Sequence, residues 1–157
     1  MSGLIESVLV VCVGNICRSP VAAQLIATGL SMEGVSITVS SAGIGAMVGQ
    51  EIDPVAAEIA RANGLSLQPH TARQFTPEMG RRSNLLLVME PGHRKHIVQK
   101  SPQLSGRIML FDHWTGARGI SDPYKQSHEF HDMVFARLSE AAQAWVEKLS
   151  VGQRALA

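Results

Sequence analysis

Short apolar runs alternate along the chain with longer stretches in which apolar residues recur at helical spacing. The runs lie at residues 7–13, 35–41, 85–89 and 108–111 and are rich in valine, isoleucine and leucine. Short runs of this kind, bounded by turn-forming residues, are typical of buried β-strands. We therefore predict a strand at each of these positions.

Helical patterns separate and follow these strands. We predict helices over residues 20–30, 54–63, 91–100 and 127–149. The second has a clear start, because an Asp-Pro pair combines an N-cap carboxylate with a proline at the first helical position. The last carries a set of regularly spaced apolar residues, which indicates core positions rather than a ligand site: Phe130, Val134, Leu138, Ala141, Trp145 and Leu149.

Strands that alternate with helices predict an α/β fold, with a four-stranded parallel sheet covered by helices on both faces. No repeat, low-complexity tract or linker divides the chain, so we predict a single domain over residues 1–157. Residues after Ser150 are expected to fray. Ligands of open parallel sheets bind at the carboxyl ends of the strands, which points to the loop after the first strand.

Composition narrows the functional classes. The net charge of +1 and the scattered basic residues argue against a nucleic-acid partner. The apolar run at residues 8–13 is too short to cross a bilayer, and it follows Glu6 rather than a cationic leader. We therefore predict a cytoplasmic protein without membrane insertion. A monomer is expected, because the pattern leaves no obvious unpaired apolar face.

The loop at residues 12–19 carries the strongest chemical signal. It joins the first strand to a helix and contains Gly14 and Asn15, which tolerate left-handed backbone angles. A loop of this kind can turn successive amide N–H groups inward as a nest for an anion, and the following helix adds its positive N-terminal dipole. We therefore predict a phosphate-binding loop formed by Val13, Gly14, Asn15, Ile16, Cys17, Arg18 and Ser19.

Three side chains of this loop predict nucleophilic catalysis. A positive environment stabilises the thiolate form of cysteine, so we expect Cys12 to be a nucleophile. Arg18, which closes the loop, has a planar fork that matches two phosphoryl oxygens. Ser19 can donate its hydroxyl to the sulfur. The two cysteines of the chain are too close in sequence for a useful structural disulfide, which again suggests chemistry.

A general acid is required when a poor leaving group departs from phosphorus, and Asp122 is the best candidate. It follows the last strand in a loop at the same sheet edge, and Pro123 restricts its backbone to extended angles. Tyr124 could form an aromatic wall for a phenyl ring. The other Asp-Pro pair, at residues 53–54, is expected to be structural.

The histidines suggest no metal site. His93 and His96, and likewise His128 and His131, have helical spacing but no third ligand, so we expect both pairs on solvated faces. His70 differs, because it could reach the back of the phosphate-binding loop. No metal or organic cofactor is predicted.

The segment at residues 11–20, together with Asp122-Pro123-Tyr124, resembles the low-molecular-weight protein tyrosine phosphatases. Further similarity covers most of the chain, and it is greatest to bacterial members associated with capsule and exopolysaccharide production. This resemblance implies a protein-tyrosine-phosphatase that acts through a cysteinyl-phosphate. It also implies a phosphotyrosyl protein as substrate, namely an autophosphorylating bacterial tyrosine kinase.

The resemblance also implies roles for individual residues. Asn15 would hold the loop through bonds to Ser19, Ser41 and His70, and Met47 would flank the mouth of the pocket with Tyr124. Cys17 would act as a redox partner that captures oxidised Cys12. The sequence departs from related enzymes at Lys125, where eukaryotic members have a second tyrosine, and at Asn84, where aspartate is common.

Three alternatives remain open on sequence. Arsenate reductases share this loop but need further cysteines, and the chain has none after Cys17. Protein arginine phosphatases share the same scaffold. The resemblance suggests that they have threonine at the position of Ile16 and phenylalanine at that of Tyr124. A phosphotyrosine-binding module without catalysis would need neither a thiolate nor Asp122.

Overall fold

Four parallel strands form one sheet in the computed structural model, which describes residues 4–156. The strands are β1 (Ser7–Cys12), β2 (Thr38–Gly43), β3 (Leu85–Val88) and β4 (Ile108–Leu110). Their order in the sheet is β2-β1-β3-β4, so β1 lies in the interior, between β2 and β3. The predicted α/β fold is confirmed, and the loop after β1 leaves the sheet at its carboxyl edge.

The helices are α1 (Arg18–Met32), α2 (Pro54–Ala62), α3 (Pro77–Arg82), α4 (Pro91–Lys100) and α5 (His128–Leu156), and a 3-10 helix spans Pro102–Arg107. They cover both faces of the sheet because successive side chains of a strand point to opposite sides. Val8 and Val10 belong to the core beneath α1, α2 and α5, whereas Leu9 and Val11 pack with Ile97 of α4.

The structure corrects several predicted boundaries. Helix α1 begins at Arg18 rather than at position 20, so its N-terminus lies directly against the phosphate-binding loop. Strand β2 begins and ends later than predicted, because it pairs with β1 up to Cys12 opposite Gly43. Helix α3 and the 3-10 helix were not predicted, although Thr76 caps α3 through its side chain in front of a proline.

The prediction that the chain frays after Ser150 is wrong. Helix α5 continues to Leu156, and Ser150 is 1% exposed. Gln153 donates to the Ile5 carbonyl at 2.6 Å, and Arg154 pairs with Glu33 at 3.1 Å, so the last turns are held by side-chain contacts. The predicted core residues of this helix are buried, with Phe130 partly so.

Asn84 has a structural role at the amino ends of the strands, opposite the carboxyl edge. Its amide oxygen accepts hydrogen bonds from the Glu6 and Ser7 amides at 2.7 and 3.0 Å. Asn84 therefore ties the start of β1 to the start of β3, far from the carboxyl edge. Within residues 4–156 we find no helix with the length and apolar character needed to cross a membrane.

Candidate active site

The carbonyl groups of the loop after β1 all point outward. The Cys12, Val13 and Gly14 carbonyls accept from the amides of residues 44, 45 and 47, at 2.9 to 3.0 Å. The Ile16 carbonyl accepts from the Asp53 amide at 2.8 Å, and the Asn15 carbonyl lies 2.7 Å from His70 Nε2. Neighbouring segments therefore satisfy the loop carbonyls from outside.

The amide groups of the loop face the other way. No backbone carbonyl of the described residues accepts from the amides of residues 13–17. Helix α1 adds its free N-terminal amides, because Cys17 occupies the N-cap position and makes no side-chain capping bond. The result is a concave group of N–H donors at a helix N-terminus, which is the arrangement that binds phosphate.

Asn15 fixes the shape of this loop. Its φ angle is 59°, so it adopts the left-handed backbone expected of it, whereas the same expectation for Gly14 is wrong. Its buried side chain donates to Ser19 Oγ at 2.7 Å and to Ser41 Oγ at 3.0 Å. Its side-chain oxygen accepts from the Arg73 amide at 3.0 Å, a partner that the sequence did not indicate.

Gly43, at the end of β2, permits the close approach of the neighbouring strand. A Cβ atom there would lie 2.2 Å from the Val13 carbonyl oxygen, a distance at which the backbone would have to shift. Any other residue at position 43 would therefore displace the phosphate-binding loop. The sequence signals this need only as one glycine in a glycine-rich stretch.

Cys12 lies at the start of the loop and is 2% exposed. Its sulfur is 2.9 Å from Ser19 Oγ. Ser19 Oγ accepts a hydrogen bond from the side-chain amide of Asn15, so the Ser19 hydroxyl proton is free to point at the sulfur. The Ser19 hydroxyl can therefore donate a hydrogen bond to the Cys12 sulfur.

The Arg18 guanidinium forms hydrogen bonds within the protein through one nitrogen, and its other two nitrogens form none among the described residues. Its Nη1 donates to Glu90 Oε2 at 2.5 Å and to the Ile120 carbonyl at 2.8 Å. Its Nε is buried and has no hydrogen-bond partner among the described residues, and its Nη2 lies 3.7 Å from Asp122 Oδ2. The Nε–Nη2 edge is therefore the one available to two phosphoryl oxygens.

Glu90 is a site residue that the sequence did not single out for this role. It immediately precedes α4, and its carboxylate lies between Arg18 and His93. His93 is buried, which corrects the expectation of a solvated face, and its Nδ1 accepts from the Glu90 amide at 3.2 Å. Burial, followed by the nearby Arg18 charge, lowers the pKa of His93 below its ordinary value.

His131 is likewise buried, contrary to the sequence expectation. It contributes to a narrow internal gap beside Cys17 and Pro123.

Burial also raises the pKa of the Cys17 thiol well above its ordinary value, helped by the Asp53 and Asp122 carboxylates. Cys17 is therefore a neutral thiol at neutral pH.

Asp122 lies close to Arg18, outside the phosphate-binding loop in sequence. Its Oδ1 accepts from the Tyr124 amide at 3.1 Å, and Oδ2 is the atom that faces Arg18. Its side chain is 47% exposed. Pro123, next in the chain, is buried against the core. The carboxyl group is thus anchored through its backbone while remaining accessible to a substrate.

A cavity of about 190 Å³ brings the predicted residues together. It is lined by Cys12, Val13, Gly14, Ile16, Cys17, Arg18, Gly45, Met47, Asp122 and Tyr124. Ser41 and His70 lie outside this cavity and contact Asn15 from behind. Two cavities elsewhere are larger, but neither contains the thiol or the guanidinium. Within residues 4–156 no cluster of three or more histidine, cysteine or carboxylate side chains could hold a metal.

Comparison with known proteins matches this architecture. Residues 7–154 match the family model described as low molecular weight phosphotyrosine protein phosphatase. A probable low molecular weight protein-tyrosine-phosphatase, AmsI of Erwinia amylovora, is 44% identical over 94% of this chain and 99% of its own. The crystal structure of the tyrosine phosphatase Wzb from Escherichia coli K30 in complex with sulphate has a TM-score of 0.88 and 41% identity. It covers 93% of this chain and 99% of that one.

A more distant structure has the same fold. The YwlE arginine phosphatase from Geobacillus stearothermophilus has a TM-score of 0.84 at 29% identity, and covers 94% of this chain and 95% of its own. The nearer relatives bear out the resemblance to bacterial members of the exopolysaccharide-associated type. The chain belongs to the low molecular weight phosphotyrosine protein phosphatase family, and it is a phosphatase of the hydrolase class.

Proposed function

We propose that the chain hydrolyses phosphotyrosine in proteins through a cysteinyl-phosphate on Cys12. The observation that carries this proposal is the meeting of three groups at one cavity. Cys12, Arg18 and Asp122 all line this cavity, and the Asp122 carboxyl group lies 3.7 Å from the Arg18 guanidinium. A nucleophile, an anion clamp and a proton donor are the groups that the reaction requires.

In the first step the Cys12 thiolate attacks phosphorus in line with the bond to the tyrosine oxygen. A P–S bond forms as the P–O bond breaks, and the electron pair leaves on the phenolic oxygen. Asp122, protonated, donates its proton to that oxygen. The loop amides and the Nε–Nη2 edge of Arg18 hold the three equatorial oxygens, where charge develops in the transition state.

In the second step water attacks the phosphorus of the cysteinyl-phosphate. Asp122, now a carboxylate, takes a proton from that water, and the P–S bond breaks to release inorganic phosphate. The sulfur leaves as a thiolate, and the Ser19 hydroxyl, 2.9 Å away, stabilises its charge. Asn15 keeps this hydroxyl aligned, because its side-chain amide donates a hydrogen bond to the Ser19 oxygen.

The walls of the cavity favour a flat phenol ring. Ile16 is 5% exposed and packs in a cluster with Met47 and Tyr124. A branched aliphatic side chain and an aromatic ring offer no partner to the polar edge of a guanidinium, which would lose its hydrogen bonds on entry. These residues support phosphotyrosine over phosphoarginine as the substrate.

Two further alternatives are weaker. An arsenate reductase would need cysteines beyond the loop, and Cys17 is the last one in the chain. A binding module would have no use for a carboxyl group that reaches the mouth of the site, as Asp122 does.

The wider setting is also part of the proposal. We infer that the enzyme is a cytoplasmic monomer that works without a cofactor, and that its partner is an autophosphorylating tyrosine kinase of exopolysaccharide or capsule production. The similarity to the protein-tyrosine-phosphatases Wzb and AmsI supports the substrate class, a phosphotyrosyl protein. A metal chelator should leave the activity of the purified protein unchanged, and abolition of activity would contradict the cofactor-free mechanism.

Cys17 is proposed as a redox partner of Cys12. Both cysteines are free thiols that line the same cavity. The raised pKa of Cys17 makes it a poor nucleophile until the loop moves or a base removes its proton. After peroxide treatment, peptide mapping should find a Cys12–Cys17 disulfide in the wild type. Irreversibly oxidised Cys12 alone would contradict this role.

The substrate assignment is tested with matched peptides that carry phosphotyrosine, phosphoserine or phosphoarginine. We expect kcat/KM to be highest for phosphotyrosine and to vanish in Cys12→Ser, a variant that should still bind phosphate. A preference for phosphoarginine would move the chain to the sister activity. Turnover by Cys12→Ser close to that of the wild type would refute the nucleophile.

A further inference from the structure

A buried carboxylate organises the segment that leads to Asp122. Asp112 follows β4 by two residues and is 1% exposed. Its carboxylate accepts from the Arg118 amide at 3.1 Å and from the Gly119 amide at 3.0 Å. Its own carbonyl accepts from the amides of residues 115 and 117. Asp112 thus accepts hydrogen bonds from four backbone amides of the turn at residues 112–119.

The turn needs such support because its backbone is unusual. Ala117 has a φ angle of 55° and Gly119 one of 93°, both in the left-handed region. A Cβ at Gly119 would also lie 3.2 Å from the Met89 carbonyl oxygen. Left-handed angles cost free energy for residues other than glycine, so the surrounding bonds must hold the turn in place.

Arg137 ties this turn to α5. Its Nη2 donates to the Gly119 carbonyl at 3.0 Å and lies 3.4 Å from Asp112 Oδ2. A single guanidinium nitrogen therefore bridges the carboxylate that folds the turn and the carbonyl at the end of the turn. Arg137 is partly exposed and does not line the active-site cavity.

The next residue connects the turn to the reacting groups. The Ile120 amide donates to the Met89 carbonyl at 2.8 Å, and the Ile120 carbonyl accepts from Arg18 Nη1 at 2.8 Å. Asp122 follows two positions later. A shift of Gly119 would therefore move both a holder of the phosphate clamp and the backbone that carries the acid.

We propose that Asp112 and Arg137 form a positioning pair for this active site, acting through Gly119 and Ile120 on Arg18 and Asp122. Neither residue touches the substrate. The proposal rests on the function proposed above, since it concerns the same catalytic groups. It predicts that the pair affects proton donation and phosphate affinity, in addition to stability.

The test is Arg137→Gln in the full chain, with phenyl phosphate and 4-nitrophenyl phosphate as substrates. A displaced acid matters most for phenol, the poorer leaving group, so kcat/KM for phenyl phosphate should fall by about tenfold, and the value for 4-nitrophenyl phosphate by less. The inhibition constant of inorganic phosphate should rise, because Arg18 loses part of its support. An unfolded fraction would lower both rates equally and leave that constant unchanged.

Arg154→Gln is the matched control, since Arg154 is also on α5 and its ion pair with Glu33 is exposed. It should match the wild type in both measurements. If Arg137→Gln also matched the wild type in the substrate ratio and in the phosphate constant, the positioning role would be refuted. Failure of the proposed function is distinguishable, because it would appear as turnover that survives Cys12→Ser in a chain that keeps Arg137.

A milder variant covers the case in which Arg137→Gln does not fold. Arg137→Lys keeps the charge, but the lysine side chain is shorter and its ammonium more strongly hydrated, so it should keep the contacts with Gly119 and Asp112 only in part. An intermediate ratio of the two substrate rates would support the pair, and an unchanged ratio would overturn it. In an Asp122→Asn background the leaving-group effect of either variant should disappear, because no acid remains to be misplaced.

Discussion

Two Asp-Pro pairs in this chain have the same sequence and different surroundings. The Asp53 carboxylate accepts from the Val55 and Ala56 amides at 3.1 Å each, and α2 begins at the adjoining proline. Among the described residues, 4–156, the Asp122 carboxylate accepts a hydrogen bond from the Tyr124 amide alone, and its other oxygen lies near Arg18. Helix α5 begins only at His128, so Asp122 does not serve as a helix N-cap.

The difference teaches what makes a carboxyl group available for chemistry. At Asp53 both bonds go to helix amides through one oxygen, and the residue has a complete structural role. At Asp122 the backbone is anchored while one oxygen is free to exchange a proton with a substrate. Glu90, a third acidic residue before a proline, combines both situations, since it precedes α4 and holds Arg18.

The largest expected effect separates the two pairs by activity. Asp122→Asn should lower kcat/KM for tyrosyl phosphate by about a hundredfold or more, because the proton donor is lost. The loss on 4-nitrophenyl phosphate should be much smaller, because that leaving group needs less protonation. Steady-state kinetics on both substrates measure this, with Asp53→Asn as the matched control, since asparagine caps a helix about as well as aspartate. Equal losses on both substrates would argue against Asp122 as the acid.

The two prolines should differ next. Pro123 is buried beside Cys17 and His131, whereas Pro54 is exposed at the first turn of α2. Pro123→Ala frees the backbone of Asp122, so kcat/KM for tyrosyl phosphate should fall by about three- to tenfold. Pro54→Ala should leave it unchanged. Identical kinetics for the two variants would mean that Pro123 does not help to position the acid.

Stability should show the reverse ranking of the two aspartates. Asp53→Ala removes an N-cap and should lower the free energy of unfolding by about 1 kcal/mol. Asp122→Ala removes one exposed hydrogen bond and a 3.7 Å approach to Arg18, which remains paired with Glu90, and should change that free energy much less. Denaturant unfolding of both variants measures the difference. A larger loss of stability at Asp122 would contradict the structural role given to Asp53.

The smallest effect concerns the mixed case around Glu90. The lowered pKa of His93 means that the unfolded chain binds a proton in a pH range where the folded chain does not. Stability from this group is therefore present above about pH 6.5, the unfolded value, and is lost as pH falls toward the folded pKa. His93→Gln keeps an acceptor for the Glu90 amide and should flatten that fall. An unchanged pH profile of unfolding would show that His93 contributes nothing to it.

Much of this site could be predicted because its signals are local. Val8 to Val11 form an apolar run, and the cysteine, asparagine and arginine of the loop after it are spaced as a phosphate-binding loop requires. The left-handed backbone of Asn15 also agrees with its residue type, although the same rule is wrong for Gly14. Local patterns of this kind need no knowledge of distant partners.

The rest depended on contacts between distant segments. Glu90 meets Arg18 across the sheet edge, and Arg73 meets the Asn15 side chain, with no pattern in the sequence to indicate either pair. Gly43 is required by the proximity of the Val13 carbonyl rather than by its own turn. A solvated position was predicted for His93 because no third metal ligand accompanies the His93–His96 pair, yet His93 is buried and lies 3.4 Å from Glu90.

The most direct test of the central claim is to trap the intermediate. Asp122→Asn is mixed with 4-nitrophenyl phosphate, quenched rapidly in acid and mapped by mass spectrometry, because this variant lacks the base that speeds hydrolysis of the thiophosphate. We predict phosphate on the peptide that contains Cys12, and none in the double variant with Cys12→Ser. Phosphate on another residue, or burst turnover without any covalent phosphate, would contradict the mechanism.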